Sequence, residues 1–181
     1  MLRALSGAQP AFGELVLRYQ RRVLNLIARV TADPALAEDL AQDTFVKAFR
    51  NLSAYDPTRP FSNWLLRIAH NTAIDATRRQ HLATVPIESE DHLPAGAPAI
   101  PRPTDEVENA ALARALETAL VHVRPEYRSA IVLRYQEGLS FEEVAQIMSI
   151  PTPTARTYVH RARKELATLL TEAGWKPAGW V

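Results

Sequence analysis

The sequence predicts an all-α chain: two small helical domains joined by a Pro-rich flexible linker, the second containing a helix-turn-helix. Three observations carry this expectation. From Ala11 to about Gln80, apolar residues recur at three- and four-residue steps (Phe12, Leu15, Val16, Tyr19, Val23, Leu26, Ile27), with no strand-like alternation. From His81 to Thr104 that period disappears, and the segment holds five of the thirteen prolines: Pro86, Pro94, Pro98, Pro101 and Pro103. Beyond it, "LSFEEVAQIMSIPTPTARTYVHRARKEL", Leu139 to Leu166, sets two helical runs on either side of "PTPT". The expected organisation is a first domain over 8–81, a linker over 82–104, a second domain over 105–172 and a tail over 173–181.

Composition narrows the function classes. With 47% hydrophobic content, 181 residues can build one ordinary core or two small ones. The balance of 21 Lys+Arg against 20 Asp+Glu leaves a net charge of +1, so affinity for nucleic acid has to come from local clustering. The absence of cysteine excludes disulfides, thiolate metal sites and cysteine nucleophiles, and is compatible with a reducing cytoplasm. His70, His81, His92, His122 and His160 show no ligand spacing such as H-E-x-x-H, so no metal and no other cofactor is expected. The charged N-terminus lacks the apolar run of a signal peptide, and nothing approaches the roughly 18 apolar residues of a membrane helix. A cytoplasmic protein without membrane insertion is the expectation.

The elements follow in order. A first helix ends near Thr31, and Asp33-Pro34 supplies a capping carboxylate followed by proline at the first helical position, where a missing N–H costs nothing. The second helix runs to about Asn51. "LSAYDPTRP", Leu52 to Pro60, carries turn chemistry and leads into a third helix from Phe61 to about Gln80. After the proline-rich stretch Thr104 is the expected cap of a further helix, with Asp105 and Glu106 favourably placed against its dipole. Pro125 restarts a helix that Gly138 ends with a left-handed residue.

Ser140-Phe141-Glu142-Glu143 has capping-box spacing, which predicts a helix from Phe141 to about Met148 with Val144, Ala145 and Ile147 inward. Pro151 disfavours helical geometry at Ile150, so Thr152 is the expected cap and Pro153 the first residue of the next helix. On that helix, at about 100° per residue, Val159, Ala162, Leu166, Leu169 and Leu170 share a side with Ala155. Arg156, Thr157, His160, Arg161 and Lys164 spread over the opposite side. A cationic cluster alone equally describes a solvated face; a capped helix and a tight turn before it match the geometry of a DNA-reading helix.

In the first half, Glu38, Asp39, Gln42 and Asp43 form one acidic face opposite Leu36, Leu40 and Ala41. The third helix places Arg67, Asn71, Asp75 and Arg78 at helical spacing, with Arg79 beside them, a set that suits a nucleic-acid backbone or unpaired bases.

"AEDLAQDTFVKAFRNL", "FSNWLLRIAHNTAIDATRR" and the Leu139–Leu166 stretch, in that order, resemble the sigma-70 family of RNA polymerase sigma factors, in its small extracytoplasmic-function group. The resemblance covers about Ala11 to Leu170. It implies that 8–81 is a region 2 domain binding core polymerase and the −10 element, and that 105–172 is a region 4 domain reading the −35 element. Asp39, Gln42, Asp43 and Phe45 match positions that contact the clamp of the polymerase's largest subunit. The resemblance also implies the polymerase's flap region as a second contact. Asn71 and the loop Ser53 to Pro60 match the segment that captures a flipped non-template base, Arg78 and Arg79 match nearby backbone contacts, and Arg156, Thr157, His160 and Arg161 match the upstream reader. Lys164, further along, suits a phosphate. Promoter DNA and core polymerase are the implied partners, with an anti-sigma factor as a further candidate.

The sequence departs from the common pattern at Pro153, where relatives often carry glycine, and in the proline-rich loop "SAYDPTRP". The tail with Trp175 and Trp180 matches no motif. A stand-alone helix-turn-helix regulator is the alternative. An enzyme built on Asp75 with His70, or on Glu142 with Glu143, lacks any phosphate-cradling loop or nucleophile motif.

Overall fold

The computed structural model describes residues 9–83 and 105–175. Most of the segment expected as a linker, the Thr104 cap, and the tail from Lys176 onward, Trp180 included, lie outside these residues.

Three helices form the first unit: α1 (Gln9–Thr31), α2 (Pro34–Arg50) and α3 (Phe61–Ala83), with a 3-10 turn at Leu52–Ala54. Asp33 caps α2 as its sequence position suggests, its Oδ1 accepting from the Leu36 N–H at 3.0 Å. The inward residues Val23, Leu26, Ile27, Val30, Leu65 and Leu66 are essentially sealed from water. Each contributes about 1.5–3 kcal/mol of burial, before the opposing chain entropy.

The second unit comprises α4 (Asp105–His122), α5 (Pro125–Ile131), α6 (Phe141–Met148) and α7 (Thr152–Glu172). The α5 helix does not run uniformly to Gly138. It widens into a π turn over Val132–Gln136, and Gly138 then adopts φ +69°, a conformation that favours glycine. At the α6 start both halves of the capping box form: Ser140 Oγ accepts from the Glu143 N–H at 3.2 Å, and Glu143 Oε2 accepts from the Ser140 N–H at 2.8 Å. The turn to α7 differs in detail from expectation. Ser149 takes the left-handed conformation at φ 57°, Pro151 stands at the cap of α7 without a side-chain bond, and Thr152 is already helical. Proline fits there because its nitrogen has no hydrogen to leave unsatisfied.

The two units are pressed together. One core runs from α1 through α3 into Ala130, Leu133, Val144 and Ile147, and a second, smaller cluster joins α4 to Ala162, Leu166 and Leu170 of α7. Polar bonds cross the seam: Arg22 Nε to Glu137 Oε2 at 2.6 Å, Asn63 Nδ2 to Glu143 Oε1 at 2.9 Å, and the ion pair of Arg29 with Glu117. Arg128, only 5% exposed, donates across it to the Arg29 carbonyl at 3.0 Å and to the Val121 and Val123 carbonyls at the end of α4. A buried guanidinium is tolerated here because its donors meet helix-terminal carbonyls. Trp175 packs half-buried on the smaller cluster, and its backbone N–H donates to the Leu170 carbonyl at 2.8 Å.

Candidate nucleic-acid interface

On α2, Leu40 and Ala41 are buried and Leu36 half-buried, which turns Glu38, Asp39, Gln42 and Asp43 to solvent. Phe45 is set apart from this group: it is half-buried and packs against the core. Val46 and Phe49, 47% and 50% exposed, continue the outward face, so the carboxylates border an apolar strip. That strip is legible from the same helical spacing.

On α3, Asn71, Arg78 and Arg79 are all exposed, with Arg67 and Asp75 along the same stripe. Arg79 Nε bonds back to the Asp75 carbonyl at 3.2 Å. The loop before α3 is held from inside by Tyr55, a residue the motif reading passed over. Its ring meets Phe61 and Trp64 at 5.4 and 5.3 Å, and its hydroxyl donates to the Arg59 carbonyl at 2.6 Å. Burial is the main cause that raises the Tyr55 pKa, which keeps this donor protonated. Asp56 Oδ1 accepts from the Thr58 amide and hydroxyl at 3.0 and 2.7 Å, and those bonds lower its pKa. Ser53, Ala54 and residues 56–60 are therefore presented outward by a fixed internal scaffold.

On α7 the predicted division of faces is present: Ala155, Val159, Ala162, Leu166 and Leu170 are buried, Leu169 half-buried. Arg156, Thr157, His160, Arg161 and Lys164 are exposed. The two outer arginines are steadied differently. Arg156 lies over the Phe141 ring at 4.7 Å and 3.5 Å from Glu142, whereas Arg161 bonds to the Tyr127 hydroxyl at 2.8 Å. Thr157 Oγ1 donates to the Pro153 carbonyl at 3.0 Å. Arg134 also lies over Phe141, at 4.8 Å, adding a cation that sequence reasoning missed because it comes from the π turn.

The residues of the enzyme reading are otherwise engaged. His70 is buried against Ser129, Glu142 faces Arg156, and both carboxylate oxygens of Glu143 are spent on Ser140 and Asn63.

Two family models match in sequence order: sigma-70 region 2 over residues 15–82 and sigma-70 region 4 over residues 113–166. The RNA polymerase sigma factor CarQ of Myxococcus xanthus is 39% identical over 95% of this chain and 96% of its own length. The chain belongs to the sigma-70 family, in its extracytoplasmic-function group. A second relative of this sigma group, SigW of Bacillus subtilis, is 31% identical over 92% of each chain. Among solved sigma-factor structures, CnrH in complex with the cytosolic domain of CnrY superposes with a TM-score of 0.67 at 29% identity, covering 94% of both chains. RpoE of Bartonella quintana, solved with the anti-sigma factor NepR, gives 0.67 at 26% identity, over 89% of this chain and 97% of the other. The function is that of the sigma family, promoter-directed initiation of transcription. Among the described residues no helix is long and apolar enough to cross a membrane.

Proposed function

We propose that three surfaces divide the work of this sigma factor. The outward face of α2, with Asp39, Gln42 and Asp43, binds the clamp of the polymerase's largest subunit, and Phe45 supports that face from behind. Asn71 with the loop 53–60 captures an unpaired base of the −10 region, beside Arg78 and Arg79 on the backbone. Arg156, Thr157, His160 and Arg161 read the −35 element, and Lys164 meets a phosphate. The observation that carries this division is the exposure pattern of α7: Arg156, Thr157, His160, Arg161 and Lys164 face outward over one continuous buried stripe.

The units for these tasks are 8–81 and 105–172, with 82–104 spanning between them and 173–181 as a tail. An apolar cavity of about 350 Å³, lined by Leu116, Leu120, Ile131 and Leu166 with exposed Tyr135 at its edge, suits an apolar segment from the flap region. An anti-sigma factor is a further partner, by likeness to the complexes of CnrH and RpoE. The chain needs no cofactor and carries out no reaction of its own: binding selects and opens DNA, and the polymerase makes the bonds. It acts in the cytoplasm, without membrane insertion.

The experiment is run-off transcription with purified core polymerase on a random promoter library. The proposed division requires selected promoters to share an upstream and a downstream element, with weak duplex binding by the free chain. Packing together keeps its two readers from spanning separated elements, and core supplies their spacing. Tight sequence-specific binding by the free chain, with no transcript from core, would instead support a stand-alone regulator.

A further inference from the structure

Tyr127 belongs to none of the surfaces above, yet it touches one of them directly. It stands in the first turn of α5, 7% exposed, with its ring 5.0 Å from that of Tyr158 on α7. Its oxygen accepts from Arg161 Nη1 at 2.8 Å, and the Arg161 guanidinium carbon lies 5.8 Å from the ring centre. Arg124 approaches the same ring at 5.7 Å. Among the described residues no carboxylate forms an ion pair with Arg161.

The chemistry of the fork gives this contact its meaning. With the phenol oxygen on Nη1, the Nε and Nη2 edge keeps its two parallel N–H groups, the pattern that matches O6 and N7 of guanine. A long arginine side chain on an exposed face otherwise samples many rotamers, and fixing it beforehand removes that loss from the binding step. Five residues at about 100° each set Arg156 and Arg161 about 140° apart around α7, so each needs its own support. Phe141 and Glu142 serve Arg156, and Tyr127 serves Arg161.

We propose that Tyr127 is a positioning residue for promoter specificity: its hydroxyl fixes the Arg161 guanidinium so that the free edge meets one base pair of the upstream element. The proposal rests on α7 being the reader of that element.

The test is transcription by the reconstituted holoenzyme over all single-base variants of the upstream element, with Tyr127→Phe, Arg161→Ala and the double variant. Arg161→Ala should reduce discrimination at one position by about fivefold or more. Tyr127→Phe keeps the ring packed on Tyr158 and should reduce discrimination at that same position, by about threefold or more, leaving the others unchanged. The double variant should equal Arg161→Ala alone, because the hydroxyl acts only through that side chain. Arg161→Lys retains the charge without the fork, so it should lose the same base preference while keeping its salt dependence. An unchanged base profile for Tyr127→Phe beside a relaxed one for Arg161→Ala overturns the proposal alone, as does a uniform loss across all variants. If neither Arg156→Ala nor Arg161→Ala alters any base preference, the premise about α7 fails and the proposal falls with it.

Discussion

His70 Nδ1 lies 2.7 Å from Ser129 Oγ, a buried polar bond between α3 of the first unit and α5 of the second. His70 is 5% exposed and Ser129 fully buried, so neither can turn to water without the seam opening. Burial, with a smaller push from Arg78 that outweighs the pull of Asp75, lowers the His70 pKa from 6.5 to about 4.

Stability should therefore depend on pH through this residue. Between 6.5 and about 4 the unfolded chain binds a proton that the folded chain refuses, so stability falls as pH drops through that window. The full loss is roughly 3 kcal/mol, of which about 2 kcal/mol is reached by pH 5. Urea unfolding at pH 7 and pH 5 measures it, and His70→Gln should flatten the dependence. The lowered pKa of Glu143, caused first by its bond from the Ser140 amide, acts in a separate window, below its ordinary 4.5. An equal pH slope in His70→Gln would place the effect elsewhere.

Reversing Asp39 and Asp43 to Lys should leave the fold intact, since both side chains are exposed, and abolish association with core polymerase. Co-purification with core, beside a circular dichroism melt of each variant, reads the two effects apart. Unchanged co-purification would remove the polymerase role of this face.

Ser140→Ala should cost about 1 kcal/mol, the usual worth of a helix cap. Glu143→Ala should cost more, because the same carboxylate also receives Asn63 across the seam at 2.9 Å. A double-mutant cycle of Asn63→Ala with Glu143→Ala isolates the seam contact. Zero coupling in that cycle would show that the contact adds nothing to stability.

Tyr55→Phe removes the hydroxyl bond to the Arg59 carbonyl while keeping the aromatic cluster with Phe61 and Trp64. It should cost about 1 kcal/mol and loosen the loop 53–60. Transcription should fall on duplex promoters and recover on templates already opened around the start site. A defect equal on both templates would mean that the loop does not act in strand opening.

Much of this architecture was legible in the sequence, for a physical reason. Helical period, the Asp33 and Ser140 caps and Gly138 act within a few residues, so local spacing reveals them. Period also tells which face of α7 is buried, but not what covers it. The His70–Ser129 bond spans 59 positions and the Asn63–Glu143 bond 80, distances over which spacing carries no signal. Arg128 reads as a surface charge until three carbonyl partners surround it, and Tyr127 reads as core until its oxygen is seen on Arg161. The π turn at Val132–Gln136 has no marker comparable to proline or glycine. Thr152 was the expected cap of α7, yet Pro151 occupies it, a shift of one residue where two prolines compete to set the boundary.

The most direct test of the account is a base scan of the upstream element by holoenzyme carrying Arg156→Ala or Lys164→Ala, at two salt concentrations. Arg156→Ala should cost roughly 1–3 kcal/mol and relax preference at a single position. Lys164→Ala should weaken all sequences about equally and lower the salt slope by about one. If Arg156→Ala instead reduces activity uniformly over every variant, with no position relaxed, base reading by Arg156 is contradicted and only backbone anchoring remains for that side chain.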